Sequence, residues 1–175
     1  MQPSVLPPRR RGPGRRTVLA WAWASSLWLL ACAPIPPQPG QARAAVLAAW
    51  GEPTARYALG AGAQRLEYAS GPYGRTTWMI DLDDAGLVTQ ARQVLGEAEF
   101  LRVQTTPQLQ RQALLLWLGT PGERRAGGWA GGEVWSWRYP TTDCRWFQVS
   151  LSDEGAVTST AYAVDPVCEV VNDAP

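Results

Sequence analysis

Few residues of this 175-residue chain could carry out covalent chemistry. It contains three cysteines and no histidine, and its adjacent acidic pairs are Asp83–Asp84 and Asp153–Glu154. Without histidine, a serine or cysteine nucleophile lacks its usual activating base, and a zinc site lacks its usual nitrogen ligand. Both acidic pairs stand beside a glycine in turn-like sequences, where acids are common. We therefore expect no enzyme activity, no cofactor and no metal site.

The first cysteine, Cys32, ends an amino-terminal export pattern. Residues 1–16 carry five arginines and no acid, and residues 17–31 form an uncharged apolar run. Such a pattern is typical of a secretory signal, and the run is shorter than the roughly 20 residues of a membrane span. We therefore interpret residues 1–31 as a signal peptide.

The end of that run, Leu29-Leu30-Ala31-Cys32, resembles the lipobox of bacterial lipoproteins. The resemblance implies cleavage before Cys32, acylation of its thiol by chains such as palmitate, and a permanent lipid anchor. Ala33 then implies the outer membrane, with the protein facing the periplasm. The alternative is an ordinary signal in which the cysteine stands by chance.

The segments that flank the anchor site give two smaller predictions. Residues 14–20, GRRTVLA, also resemble a twin-arginine export signal, but we favour Sec export. Residues 33–40 contain four prolines, which favour an extended polyproline conformation. We therefore assign residues 32–40 to a lipidated cysteine followed by a proline-rich linker.

The chain from Cys32 onward is mildly acidic. It holds 11 arginines, no lysine and 15 acids, so its formal charge is −4. A nucleic-acid-binding surface needs clustered positive charge. We therefore expect no nucleic-acid partner and look instead for a protein partner in the periplasm or outer membrane.

The chain repeats itself. LDDAGLV at residues 82–88 returns as LSDEGAV at residues 151–157, and Gly51 and Pro53 precede Gly119 and Pro121 by 68 positions. A repeat over this length indicates two copies of one structural unit. We predict one module over 41–104 and a second over 105–168, with a tail over 169–175.

Each copy has the pattern of a helix followed by strands. The first predicted helix covers residues 41–50, and the second begins at Pro107. Each ends at a Gly-x-Pro sequence, because glycine caps a helix and proline cannot continue one. RLEYA, VWSWRY, TTWMIDL and RWFQVSL alternate with the period of a strand. The fold class is therefore α+β, as two tandem modules that each have a helix followed by a three- to four-stranded antiparallel sheet.

Strand periodicity also predicts which side chains face inward. The inward set pairs residues of the two copies: Trp78 with Phe147, Ile80 with Val149, and Leu82 with Leu151. The opposite, wetter face would then carry Met79, Asp81, Gln148 and Ser150.

Together, the Gly-x-Pro stop, the Trp- and Tyr-containing strands and the L-x-D-x-G-x-V turn resemble the SmpA/OmlA/BamE family of small outer-membrane lipoproteins. The doubled form is similar to the architecture of the β-lactamase inhibitor protein. The resemblance implies a non-enzymatic protein-binding or scaffold module in envelope or outer-membrane protein assembly. The alternative is an inhibitor or binding module for a periplasmic enzyme or a cell-wall polymer.

Acylation of Cys32 would leave one pair of cysteines, Cys144 and Cys168, in an oxidising compartment. We predict a disulfide between them, which would close about 25 residues and stabilise the fold by about 3 kcal/mol. The alternative is two free buried thiols.

Two loops hold aromatic residues that could contact a partner. Tyr73 lies between Pro72 and Gly74 in SGPYGR, residues 70–75, and Trp129 lies among four glycines in GGWAGG, residues 127–132. A tyrosine or tryptophan presented by a rigid turn is a good anchor for a protein interface. For Tyr73 the alternative is a ring folded back on the sheet, and for Trp129 a lid over the sheet.

Overall fold

The first described helix leads into a four-stranded sheet. In this computed structural model, which describes residues 35–128 and 131–169, α1 spans Arg43–Trp50. The strands β1 Ala55–Gly60, β2 Ala63–Ala69, β3 Thr77–Leu82 and β4 Val88–Gln93 then form an antiparallel sheet in the order β1-β2-β3-β4. The predicted signal peptide, Cys32, Trp129 and residues 170–175 lie outside the described residues.

A second sheet repeats this order. After α2 Glu97–Thr105 and α3 Arg111–Leu118 come β5 Glu123–Ala126, β6 Glu133–Arg138, β7 Arg145–Leu151 and β8 Val157–Val164, followed by a single helical turn, α4 Pro166–Glu169. Strands β5 to β8 are antiparallel neighbours in chain order. The described residues belong to one compact unit. None of their helices has the length and hydropathy of a membrane span.

The repeated Asp-x-Gly turn has a structural role at the start of each helix. Neither α1 nor α3 has a side-chain cap at its amino terminus. Instead, the Arg43 N–H donates to the Gly86 carbonyl at 2.9 Å, and the Arg111 N–H donates to the Gly155 carbonyl at 2.8 Å. A helix leaves its first N–H groups without internal partners. The hairpin turn of each sheet therefore caps the helix that precedes that sheet.

The two helices also end alike. Gly51 and Gly119 both adopt the left-handed region, with φ of +75° and +78°. Their N–H groups donate to Leu47 O at 2.9 Å and to Leu115 O at 3.0 Å. This is the glycine stop that the sequence predicted, because a residue with a Cβ is strained at positive φ.

The register of the two sheets matches as well. Leu66 pairs with Ile80 in the first sheet, as Trp135 pairs with Val149 in the second. Each sheet has one register shift between its last two strands, beside Leu82 and Leu151. The predicted register is therefore confirmed on the helix-facing side, where Phe147, Ile80, Val149 and both leucines are buried. Trp78, the counterpart of Phe147, is only half-buried.

Two apolar clusters form the core. The smaller one lies between α1 and the first sheet and contains Val46, Leu66, Ile80, Leu82 and Val88. The larger one joins α2, α3 and the second sheet, where Phe100 stacks on Phe147 at 4.3 Å between ring centroids. Aromatic rings bury large apolar areas, so the larger cluster supplies most of the burial.

The prediction that Met79 lies on a wet face is wrong. Met79 is 1% exposed and belongs to the larger cluster, although it sits on the side of β3 that faces away from α1. The cause is the end of α3, because the methyl group of Met79 lies close to Gly119. Asp81 is likewise mostly buried, but its carboxylate is paired with Arg65.

Three further details differ from the expectation. The second helix begins at Arg111 rather than Pro107, because Gln108 adopts a positive φ of 55° and Leu109 O accepts the Val157 N–H at 2.8 Å. Strands β1 and β5 precede the strands predicted as first, so each sheet begins one strand earlier than expected. Helix α2 was not predicted, and it runs across the expected boundary at residues 104–105.

Candidate functional site: a Tyr73 platform at the junction of the sheets

Polar contacts join the first sheet to the end of α3. The Arg65 guanidinium donates to Leu116 O at 2.5 Å, and the Glu67 carboxylate accepts the Thr120 N–H at 2.9 Å. Glu67 is fully buried, and its other oxygen accepts the Tyr57 hydroxyl at 2.5 Å. A buried carboxylate is tolerated when hydrogen bonds satisfy it. These contacts fix the two sheets relative to one another.

The β2–β3 loop, residues 70–75, is a closed turn with its own hydrogen bonds. The Ser70 N–H donates to Thr76 O at 3.0 Å, and the Gly74 N–H donates to Gly71 O at 2.9 Å. An ideal Cβ on Gly74 would lie 2.0 Å from the Ser70 hydroxyl oxygen. Only glycine fits there, so the Pro-Tyr-Gly sequence specifies a tight turn.

This loop is docked onto the second sheet. Arg138 Nη1 donates to Pro72 O at 2.7 Å, and Arg75 Nη1 donates to Thr141 O at 3.3 Å. Gly122 approaches the same loop so closely that an ideal Cβ there would lie 2.6 Å from Pro72 O. The loop is therefore held from both sides of its tip.

Tyr73 stands at that tip and is 74% exposed. Its ring centroid lies 5.3 Å from Arg138 Cζ, within the range of a cation–π contact. The interpretation of Tyr73 as folded back on the sheet therefore does not hold. The ring is fixed from below by a cation and open to solvent above.

Arg138 itself is held by a buried ion pair. Its Nε and Nη2 donate to the two oxygens of Asp165 at 2.5 and 2.8 Å, and both side chains are under 10% exposed. The ring of Trp146 lies 5.0 Å from Arg138 Cζ. We call Pro72, Tyr73, Arg138, Trp146 and Asp165 the Tyr73 platform.

The electrostatics of the platform centre on Asp165. Burial alone would raise the pKa of this carboxyl, but hydrogen bonds from Arg138 and the Val167 N–H, with the charges of Arg138 and Arg75, hold that pKa below its usual value. Asp165 is therefore a carboxylate at neutral pH and keeps Arg138 in place. Bidentate pairing of this kind adds geometric specificity to the attraction.

A disulfide closes the platform at the carboxy-terminal end. Cys144 and Cys168 are bonded, with a Cα–Cα distance of 6.1 Å, so the predicted disulfide is confirmed. The Asp165 N–H donates to Cys144 O at 2.8 Å, and the Cys168 N–H donates to Asp165 O at 2.9 Å. We call residues 165–168, together with their disulfide to Cys144, the carboxy-terminal clasp.

One acid of each acidic pair accepts a hydrogen bond from a backbone N–H in a loop. Asp83 Oδ1 accepts the Leu87 N–H at 2.7 Å, and Asp153 Oδ1 accepts the Gly132 N–H at 2.8 Å. In residues 35–128 and 131–169, no three Cys, Asp or Glu side chains are grouped so that they could hold a metal ion.

The sequence predicted that Tyr73 is presented to solvent, but it did not predict the residues beneath the ring. Arg138 and Asp165 are 27 positions apart, and only the fold brings them together. One available signal was the alternation of β6, which places Arg138 on the face opposite Trp135 and Trp137. An arginine there implies a partner acid, but not which one.

Comparisons with known proteins establish no family for this chain. No family model matches it, and no curated protein matches it. Among solved structures, it is similar to a DUF4309 family protein, YjgB, from Bacillus subtilis, with 11% identity, 70% of this chain covered, 78% of that chain covered and a TM-score of 0.28. A similarity at that TM-score supports no functional argument.

Proposed function

We propose that this chain is a bacterial lipoprotein, anchored to the outer membrane on its periplasmic side, which acts as a non-enzymatic protein-binding or scaffold module in envelope or outer-membrane protein assembly. The anchor rests on the arginine-rich start, the apolar run and the lipobox-like LLAC before Ala33. The binding role rests on the Tyr73 platform. Two structural features support the proposal: the match between the two halves of the chain, and the exposure of Tyr73 on a docked loop.

The first is the match between the halves. Equivalent glycines end α1 and α3, equivalent turn carbonyls cap them, and the sheet registers correspond at an offset of 69. These correspondences support two tandem BamE-like modules, over 41–104 and 105–168. In this proposal the pair acts as one rigid support for the Tyr73 loop.

The single observation that carries the binding role is the exposure of Tyr73 on an immobilised loop. A ring that is 74% exposed yet held by Arg138 is already ordered before a partner arrives. Binding by such a ring loses little conformational entropy. Tyrosine is also among the residues that most often dominate interface energies.

The same geometry suits the alternative function. An aromatic ring at the tip of a rigid hairpin loop can enter the cleft of a periplasmic enzyme, as an inhibitor would. The two functions differ in the partner: an assembly component of the outer membrane in one case, a soluble hydrolase or cell-wall polymer in the other.

Copurification after crosslinking in cells tests the proposal. The full-length protein, Tyr73→Ala and the control Leu101→Ala are compared; Leu101 is also an exposed apolar residue, at 58%, but lies on α2. We expect Tyr73→Ala to recover about tenfold less of a crosslinked partner, or even less than that, since an interface hot spot contributes about 2 kcal/mol. Equal recovery from Tyr73→Ala and the other two proteins would contradict a role for this surface.

A further inference from the structure

We propose that the Cys144–Cys168 disulfide controls the Tyr73 loop across the junction of the two sheets, so that partner capture depends on the redox state of the carboxy-terminal clasp. The consequence for capture rests on the proposed function. The structural coupling does not, because it concerns the order of a loop in the free protein.

The first step in this coupling is covalent. The disulfide ties Cys168 to Cys144, which immediately precedes β7. Asp165 is held between the two cysteines by backbone hydrogen bonds to each of them. The disulfide therefore fixes the carboxy-terminal end of the short segment that carries Asp165, and the end of β8 and the hydrogen bond to Cys144 O fix its other end.

The second step is the buried ion pair. The Asp165 carboxylate accepts hydrogen bonds from Nε and Nη2 of Arg138. It also accepts one from the Val167 N–H, at 3.1 Å. Val167 lies in α4, inside the clasp. When α4 moves, Asp165 loses that hydrogen bond and its fixed backbone. A buried charge left without its partner is unfavourable, so Arg138 then moves towards solvent or another acceptor.

The third step reaches the other sheet. Arg138 supplies the hydrogen bond to Pro72 O and the cation beneath Tyr73. In the other docking hydrogen bond, Arg75 of the loop donates to Thr141 O. Thr141 lies in the β6–β7 connection, which ends at Cys144. Both hydrogen bonds that dock the loop therefore have their second-sheet partner within residues 138–144. This is the segment whose far end the disulfide holds.

The switch itself is thiol–disulfide exchange. A dithiol reductant gives two electrons and two protons to the Cys144–Cys168 bond, which breaks to two thiols, while the dithiol is oxidised to its own disulfide. The oxidised protein holds the platform for capture. In the reduced protein α4 is no longer tied to Cys144, and Arg138 is no longer held in place. The Tyr73 loop then loses its contacts with Arg138.

Hydrogen exchange of the full chain, purified in detergent, tests this coupling without any partner. We compare the oxidised protein with Cys144→Ser/Cys168→Ser. The amides to follow are those of Ser70 and Gly74, which are hydrogen-bonded within the loop. The amides of Gly86 and Leu87 serve as the internal control, since their turn caps α1 and has no bond to the clasp.

We expect the loop amides to exchange about tenfold faster in the double variant while the control amides are unchanged. Unchanged loop exchange would overturn the proposal, as would equal acceleration of the loop and control amides. Should the double variant fail to fold, Asp165→Asn, which keeps the disulfide, tests the next step of the coupling. There, unchanged loop exchange excludes the route through Arg138.

The outcomes for the two proposals are separable. If the loop amides exchange faster without the disulfide but Tyr73→Ala captures the same proteins as the wild type, the coupling stands and the binding role is excluded. If Tyr73 is needed for capture but the exchange rate of the loop amides does not depend on the disulfide, the binding role stands and redox control is excluded.

Discussion

Arg138 and Asp165 form a bidentate ion pair that links the connection between β8 and α4 to a loop of the other sheet. Both side chains are under 10% exposed, and Arg138 also donates to Pro72 O. A buried pair of this kind is weak evidence for net stability, but loss of one partner is costly. We therefore interpret the pair as a device that fixes the geometry of the Tyr73 platform.

The ion pair makes stability depend on pH in one direction. Hydrogen bonds from Arg138 outweigh burial and hold the pKa of Asp165 below its usual value in the folded protein. The unfolded value is about 3.9, so this contribution is fully present above that pH and is lost as the pH falls through the folded-state pKa.

We expect the difference in unfolding free energy between the wild type and Asp165→Asn to be largest near neutral pH and to shrink below about pH 4. Urea unfolding at a series of pH values, with the disulfide intact in both proteins, measures it. A difference that stays constant from neutral pH down to about pH 3 would mean that Asp165 titrates in the same way whether the chain is folded or unfolded.

Two equivalent glycines give a matched pair of substitutions. Gly51 and Gly119 share a positive φ, but an ideal Cβ on Gly51 meets nothing within 4 Å, whereas one on Gly119 lies 2.9 Å from Glu67 and Thr77. Gly51→Ala should therefore cost only backbone strain, about 1–3 kcal/mol. Gly119→Ala should cost a further 1–3 kcal/mol or so from overpacking at the junction.

Chemical denaturation of both glycine variants tests this expectation. Equal losses of unfolding free energy would show that the end of α3 does not press on the first sheet. The comparison also reports on Met79, since its methyl group lies 3.0 Å from the Cβ position of Gly119.

The second-sheet core gives another matched pair. Phe147 is fully buried and stacks on Phe100, whereas Ser150 lies on the opposite face of the same strand and is only half-buried. Phe147→Ala should cost roughly 3–5 kcal/mol, and Ser150→Ala should change unfolding free energy by less than about 0.5 kcal/mol. The reverse ranking would mean that the register of β7 is wrong.

The anchor prediction depends on one atom, the thiol of Cys32. In Cys32→Ser we expect loss of labelled palmitate incorporation and release of the protein from the membrane fraction. An unprocessed protein that still sediments with membranes would show instead that the apolar run is a plain membrane anchor. Leu101→Ala, which leaves the lipobox-like motif intact, is the control for fractionation.

The parts of the fold that could be predicted have strong local signals. The repeated Gly-x-Pro and Asp-x-Gly sequences gave the helix ends and the hairpin turns, and alternation gave β2, β3, β6 and β7. Strands β1 and β5 were missed because they are edge strands whose residues are mostly exposed, so that no buried stripe marks them. Helix α2 was missed because Phe100 and Val103 are its only buried residues.

The remaining features depend on contacts between distant segments. Met79 is buried by the end of α3, which no pattern within β3 can reveal. Tyr73 was predictable because Pro72 and Gly74 specify a turn, but its support was not. Arg138 and Asp165 meet only when both sheets and the disulfide are in place.

Photocrosslinking from position 73 tests the proposed binding role most directly, because it identifies the proteins that contact this residue. A photoreactive phenylalanine analogue replaces Tyr73 in the full-length chain, expressed in its own host, and a second strain carries the analogue at Leu101. We predict that irradiation yields a specific adduct with an outer-membrane or barrel-assembly protein from position 73 and not from position 101. An adduct with one soluble hydrolase or with cell-wall polymer would favour the inhibitor function. No adduct at position 73, or the same adducts from both positions, would contradict a partner-binding role for the Tyr73 platform.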